Sequence, residues 1–185
     1  IRAHRDGILT TASLMVNEPP CGEAVELAKQ NPTLGVGLHL TLLMGHSALL
    51  PQEIPGLVNQ NGEFANDPVK VGFPYFVRRE LREQLRREIH AQFARFRATG
   101  LPLDHVNGHL HLHLHPTVFS ILIEDAEALG IERMRLTRDP FWMDLTLADG
   151  QRIYRGTHAL IYFILAGRAR ARFRQKRIRH TDRVF

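Results

Sequence analysis

The clearest regularity in the chain is a helical stripe. Leu81, Leu85, Ile89, Phe93 and Phe96 recur every three or four residues among charged neighbours, which predicts an amphipathic helix over 78–99, closed by Gly100 and Pro102. Weaker stretches of the same period predict a helix over 22–30, ended by Asn31-Pro32, and another over 117–129 behind Pro116, capped by Gly130. A last helix, over 158–176, starts apolar and turns basic. Runs of another kind lie between these. Residues 8–16, 103–106 and 131–136 read as strands. Over 34–43 the alternation is strict: Leu34, Val36, Leu38, Leu40 and Leu42 share one face, and Gly35, Gly37, His39 and Thr41 the other. Residues 44–70 carry Pro51, Pro55, Gly56, Gly62 and Pro68 and read as a loop, a candidate lid or rim. Strands alternating with helices predict an α/β fold built on a parallel sheet with crossover helices.

The stretch from Asp104 to Pro116 changes the picture. It holds five of the eleven histidines, and His109, His111, His113 and His115 alternate with Leu110, Leu112 and Leu114. An extended chain would present these imidazoles on one face, about 6.6–7 Å apart. Metal–nitrogen bonds are only about 2.0–2.1 Å long, so a single ion can take near neighbours alone and not all four. If the strand from 103 finishes near Gly108, the later histidines fall on a loop and the alternation does not describe their geometry. His39 is the candidate partner. It lies on a face cleared by two glycines, and glycine inside a strand marks close approach by a ligand or another backbone. In parallel α/β folds chemistry gathers at the carboxyl ends of strands. His39 falls late in its strand and His109 where the later one should finish, so the two could meet at one mouth.

Composition narrows the classes. The 185 residues suffice for one domain with a sizeable core. Lone Cys21 excludes an intramolecular disulfide and fits a reducing compartment, the cytoplasm. The opening residues are polar, unlike a signal peptide, and the longest apolar run, 159–166, is far short of the ~20 residues of a membrane span. A start at Ile1 and an end at Phe185 without a closing element predict a piece of a longer protein. Net charge is +5, yet residues 167–185 carry eight basic residues and one acid, which leaves −2 for the rest. The high pI therefore describes the tail, and no nucleic-acid partner is expected for the body. The segment 159–179 raises an alternative, a module lying on an anionic membrane or touching nucleic acid, against the plainer reading of a solvated outer helix. A second alternative is an amidohydrolase-type metal hydrolase, although there the His-x-His pair usually lies on the first strand.

Gly37-Leu38-His39-Leu40-Thr41, followed by His105-Val106-Asn107-Gly108-His109-Leu110-His111, resembles the YdjC-like carbohydrate deacetylases. Gly7-Ile8-Leu9-Thr10 and Ser13-Leu14-Met15-Val16-Asn17 extend the likeness. Within that family the run through His115-Pro116 is most similar to the hopanoid-biosynthesis-associated HpnK members. The resemblance implies a distorted (β/α) barrel, here a partial single domain over 1–185, and metal-dependent removal of an N-acetyl group from an amino sugar or glycolipid. It implies His39 and His109 as metal ligands, with Mg2+ as the ion and Zn2+ or Ni2+ as alternatives. The third ligand and the catalytic base would be aspartates of an Asp-Asp motif expected upstream of Ile1. A late His-Pro motif is expected beyond Phe185. On that reading the 185-residue chain alone is inactive. His111 would stand behind the ligands or face the sugar if the chain stays extended, and His113 and His115 would be structural. Asn107 stands where many members carry aspartate, and an amide brings no negative charge to a ligand. A glycolipid substrate would make a peripheral membrane contact attractive; the oligomeric state is left open, a homodimer included.

Overall fold

A computed structural model describes residues 1–136, 167 and 169–181. Its centre is a sheet of five strands: β1 (Thr11–Leu14), β2 (Gly35–Leu40), β3 (Val106–Gly108), β4 (Arg133–Met134) and β5 (Arg179–His180). They lie side by side in chain order, and every neighbouring pair is parallel. Sequential parallel strands with helices in the crossovers are the arrangement of a (β/α) barrel. Helix α1 (Arg2–Arg5) precedes the sheet, and α2 (Cys21–Lys29) joins β1 to β2. Helices α3 (Pro68–Val77) and α4 (Glu80–Ala98) join β2 to β3; α5 (Pro116–Glu124) and α6 (Ala126–Leu129) join β3 to β4.

The core forms where the aliphatic parity of the strands meets the helical stripes. Val36, Leu38, Leu40, Val106 and Met134 are buried with Leu81, Leu85, Ile89, Phe93 and Phe96 of α4 and Val118, Ile121 and Leu122 of α5. Each such side chain contributes roughly 1.5–3 kcal/mol by leaving water. The other parity of β2 and β3 is given to Gly35, Gly37, His39 and Asn107, so the sheet has one aliphatic side and one side of glycines and polar groups.

The strands are shorter than the sequence pattern predicts, most of all 8–16, which narrows to Thr11–Leu14. The expected helix over 117–129 is two helices, stepped at Asp125, whose carboxylate accepts from Arg86 Nη1 and His90 Nε2 of α4. Neither α3 nor β5 was expected. Of the helix expected over 158–176, residues 158–166 and 168 lie outside the described residues, and 169–176 are helical. There Ala169 and Phe173 are buried in the core, while Arg172 and Arg174 are exposed. The apolar side of that stretch is therefore occupied by the protein itself. Among the described residues no helix is long and apolar enough to cross a membrane.

His113 is fully buried and donates Nε2–H to the Arg135 carbonyl oxygen at 2.9 Å, which ties the turn after β3 to the chain leaving β4. Burial pushes its pKa down to about 3. The unfolded chain binds a proton there below about pH 6.5 and the folded chain does not, so stability falls as pH falls through that window. One pKa unit corresponds to about 1.4 kcal/mol, so this residue alone should remove about 2 kcal/mol between pH 6.5 and 5. Urea midpoints at the two pH values check this, with His113→Gln, which cannot titrate, losing less.

Candidate metal centre

Strands β2 and β3 pair so that His39 lies opposite Asn107 and Leu40 opposite Gly108. That register places His39 beside the end of β3, and His109 is the next residue. His39 Nδ1 donates to Asn107 Oδ1 at 2.6 Å. On its other side, His39 Nε2 lies 3.3 Å from His109 Nδ1, with ring centroids 5.5 Å apart and planes at 77°.

The extended alternation of histidine and leucine does not hold past Gly108. Residues His109–Leu114 form a tight helical turn, kinked at Leu110 (φ 44°, ψ 36°) and His111 (φ 60°, ψ 17°). Two successive non-glycine residues in the left-handed region cost roughly 1–2 kcal/mol each. The reversal folds the chain back so tightly that a Cβ on Gly108 would meet the His113 backbone nitrogen at 2.9 Å. The leucines separate accordingly: Leu114 is buried and Leu110 exposed. His111 therefore does not share a strand face with His109. Its ring stands beside that of His113, centroids 6.3 Å apart, and its charge still reaches His39. His115 donates Nε2–H to the Gly72 carbonyl oxygen at 3.0 Å and so ties α3 to the start of α5.

His39 is half-buried, and that burial is the main cause holding its pKa below the ordinary histidine value. The hydrogen bond to Asn107 opposes the shift; the nearby charges of His109, Arg135 and His111 add to it. A neutral imidazole that donates from Nδ1 keeps its lone pair on Nε2, the nitrogen that faces His109. Two nitrogens bound at about 2.0–2.1 Å to one tetrahedral ion lie roughly 3.3–3.4 Å apart. The 3.3 Å separation therefore suits two ligands of one ion, and without an ion it suits a long hydrogen bond from His109. Among the described residues no group of three or more His, Cys, Asp or Glu side chains converges, so two imidazoles fit an ion and a third protein ligand would have to come from elsewhere.

The glycines of β2 prove to make room for the neighbouring strand rather than for a ligand. A Cβ on Gly37 would sit 2.5 Å from the His105 carbonyl oxygen and 2.6 Å from its ring; one on Gly35 would sit 2.9 Å from Asp104 Cγ. Because a backbone atom blocks it, Gly37→Ala must push β3 away from β2. A loss of about 1–3 kcal/mol is expected, read as a lower urea midpoint, together with weaker ion binding as Asn107 and His109 move with β3.

Two further features escaped the sequence pattern. Arg135 follows β4 directly, and its charge bears on both His39 and His113; the alternation of Arg133 and Arg135 about buried Met134 was the available signal. The excursion after β2 also lines an open pocket of about 690 Å3, whose lining includes His46, Asn59, Glu63 and Asn66. Nothing in the spacing of those residues marks them.

The family model described as YdjC-like protein matches residues 1–185. A carbohydrate deacetylase of Brevibacillus brevis is 40% identical over 129 residues, 69% of this chain and 48% of that protein. A chitooligosaccharide deacetylase of Proteus mirabilis is 37% identical over 140 residues, 74% of this chain and 52% of the other. The chain spans about half the length of the curated relatives it matches. Among solved structures, a protein of Enterococcus faecalis V583 named for cellobiose-phosphate cleavage superposes with a TM-score of 0.61 at 18% identity, over 97% of this chain and 88% of that one. At that identity the likeness speaks for the fold.

Proposed function

Since this chain belongs to the YdjC-like family, we propose that it is the ion-binding part of a metal-dependent carbohydrate N-deacetylase. The observation that carries the reading is the convergence of His39 Nε2 and His109 Nδ1 at 3.3 Å. The names of the relatives, carbohydrate and chitooligosaccharide deacetylases, support an acetylated sugar as substrate.

His39 and His109 would hold the ion, which when bound lowers the pKa of its water and polarises the acetyl carbonyl. His39 keeps its Nε2 lone pair available because burial disfavours protonation of the ring. Asn107 orients that ring through Nδ1 without adding charge. Arg135 supplies positive charge beside His39, suited to an oxygen that gains negative charge as the amide is attacked. A carboxylate to take the proton from water is still required, and it would come from outside the described residues, as would the third ligand. The open pocket after β2, with His46, Asn59, Glu63 and Asn66 in its lining, would receive the rest of the sugar chain.

Finer elements of the proposal rest on the Asn107-to-Pro116 run and its resemblance to the hopanoid-associated members: a hopanoid-type amino-sugar glycolipid as substrate, Mg2+ as the ion, and the cytoplasm as the place of action. Acetate release from N-acetylated chito-oligosaccharides by the complete gene product tests the reading, with Mg2+, Zn2+ and Ni2+ supplied in turn and His39→Ala as the blank. Release that equals the blank with all three ions would sink it.

A further inference from the structure

We infer that Ser13, His105 and Asp104 are positioning residues for His39: acting through Asn107, they fix which ring nitrogen of His39 is free to bind. The role presupposes that His39 is a ligand, as proposed above.

The five residues form one file of hydrogen bonds across three strands, anchored at the far end by Arg133. Arg133 Nη1 donates to Asp104 Oδ1 at 2.7 Å. Asp104 Oδ2 lies 3.0 Å from His105 Nδ1. His105 Nε2 lies 3.0 Å from Ser13 Oγ. Asn107 Nδ2 donates to Ser13 Oγ at 2.8 Å, and Asn107 Oδ1 faces His39 Nδ1 at 2.6 Å.

With a neutral ring at His105, only one polarity satisfies every link. A carboxylate paired with arginine can accept but not donate, so His105 must carry its proton on Nδ1. The neutral ring then has only a lone pair at Nε2, and Ser13 must donate to it. A hydroxyl has one proton, so Ser13 Oγ can only accept from Asn107, which turns the amide nitrogen toward Ser13 and the amide oxygen toward His39. His39 must therefore be protonated on Nδ1, and its lone pair falls on Nε2, the atom 3.3 Å from His109 Nδ1. The charge of Asp104 thus reaches the candidate ligand as a choice of tautomer, although an amide stands directly behind it. The Asp104–His105 end of the file is sheltered, with the His105 side chain 14% exposed and that of Asp104 27%, while Ser13 is exposed. Gly37 and Gly35 leave room for their side chains, since a Cβ at either position would meet them at 2.6 and 2.9 Å.

Asp104→Asn makes the sharpest test. Arg133 claims the oxygen of the new amide, so its NH2 group faces His105 and reverses every link. His105 becomes the Nε2–H form, Ser13 donates to Asn107 Oδ1, and the Asn107 amide nitrogen faces His39. His39 is driven to the Nε2–H form, with no lone pair toward His109. The readout is long-range 1H–15N correlation of the imidazoles in the 15N-labelled, metal-free 185-residue chain, with His39 assigned by its loss in His39→Ala. Wild type and Ser13→Thr should show His39 protonated on Nδ1. Asp104→Asn should show it protonated on Nε2, and Ser13→Ala a mixture. Zinc titration of the same samples should give about 10–100-fold weaker binding in Asp104→Asn and Ser13→Ala, the usual effect of losing a partner behind a ligand, with Ser13→Thr near wild type. Unchanged His39 resonances in both Asp104→Asn and Ser13→Ala would overturn the inference, as would labelling of Ser13 by a fluorophosphonate, which would make the same three residues a nucleophile and its base. If no form of the chain binds zinc, the ligand reading of His39 falls while the resonances still decide the file.

Discussion

His39→Ala and His109→Ala are each expected to weaken binding of Zn2+ or Ni2+ to the chain by more than about 100-fold, beyond the 10–100-fold typical for a residue that only supports a ligand. The described residues bring two candidate imidazoles to one point and no third His, Cys, Asp or Glu. Deleting either ring leaves a single protein ligand, which holds an ion scarcely better than a surface histidine. Isothermal titration on the purified chain measures this, with His113→Gln as the control. His113 is buried and already committed to the Arg135 carbonyl, so its replacement should change stability and leave the stoichiometry of ion binding alone. The fold itself should tolerate loss of His39. Among the described residues its short hydrogen bond is the one to Asn107, and a typical net loss there is about 1 kcal/mol. A variant that melts near wild type yet fails to bind separates a lost ligand from a lost fold. Wild-type affinity in both variants would remove the metal centre.

Much of this arrangement could be read from the sequence, and the limits have physical causes. Helix α4 was legible because Leu81 to Phe96 repeat at a period no strand can use. The polar side of β2 was legible because period-two alternation set Gly35, Gly37 and His39 apart from the leucines. The same rule stops at His109–Leu114, as expected where the strand finishes at Gly108. Alternating composition defines a face only while the backbone stays extended, and the left-handed turn at Leu110 and His111 is set by where β3 loses its neighbours, not by local propensity. Helix α3 was hidden by Pro74 inside it, a residue that ordinarily breaks helices. The file from Asp104 to His39 joins residues as far as 94 positions apart and depends on strand register, which no single segment encodes. The two glycines signalled a close approach correctly, but what approaches is the next strand.

The largest loss of stability is expected at a residue outside the candidate site. Glu88 has no exposed surface. Its Oε1 accepts from the Ala48 backbone N–H at 2.7 Å and from Gln92 Nε2 at 2.8 Å, and its Oε2 accepts from the Leu49 N–H at 3.0 Å. Gln92 in turn accepts from the Thr41 N–H at 3.0 Å and donates to the Thr41 carbonyl oxygen at 2.7 Å. Helix α4 thus holds the chain leaving β2 through two buried polar side chains, which pair the backbone groups of Thr41, Ala48 and Leu49. Glu88→Ala strands two amide hydrogens and the Gln92 side chain. Each unpaired buried donor costs about 1–3 kcal/mol, so a total of about 3–5 kcal/mol is expected, or a melting temperature lower by about 6–20 °C for a chain of this size. Burial raises the Glu88 pKa, against the lowering effect of the bonds from Ala48, Gln92 and Leu49. The folded chain therefore takes up a proton there before the unfolded chain does, so this group favours the fold more as pH falls through its folded pKa, opposite in sign to His113. Differential scanning calorimetry at pH 7 and pH 5 should accordingly show the Glu88→Ala chain losing more stability on acidification than wild type. Thr41 lies two residues beyond His39 on the same strand exit, so ion affinity should also fall in this variant, though less than when a ligand is removed. Melting at the wild-type temperature would mean that α4 does not hold this exit, and the position of His39 would then have to be set by the sheet alone.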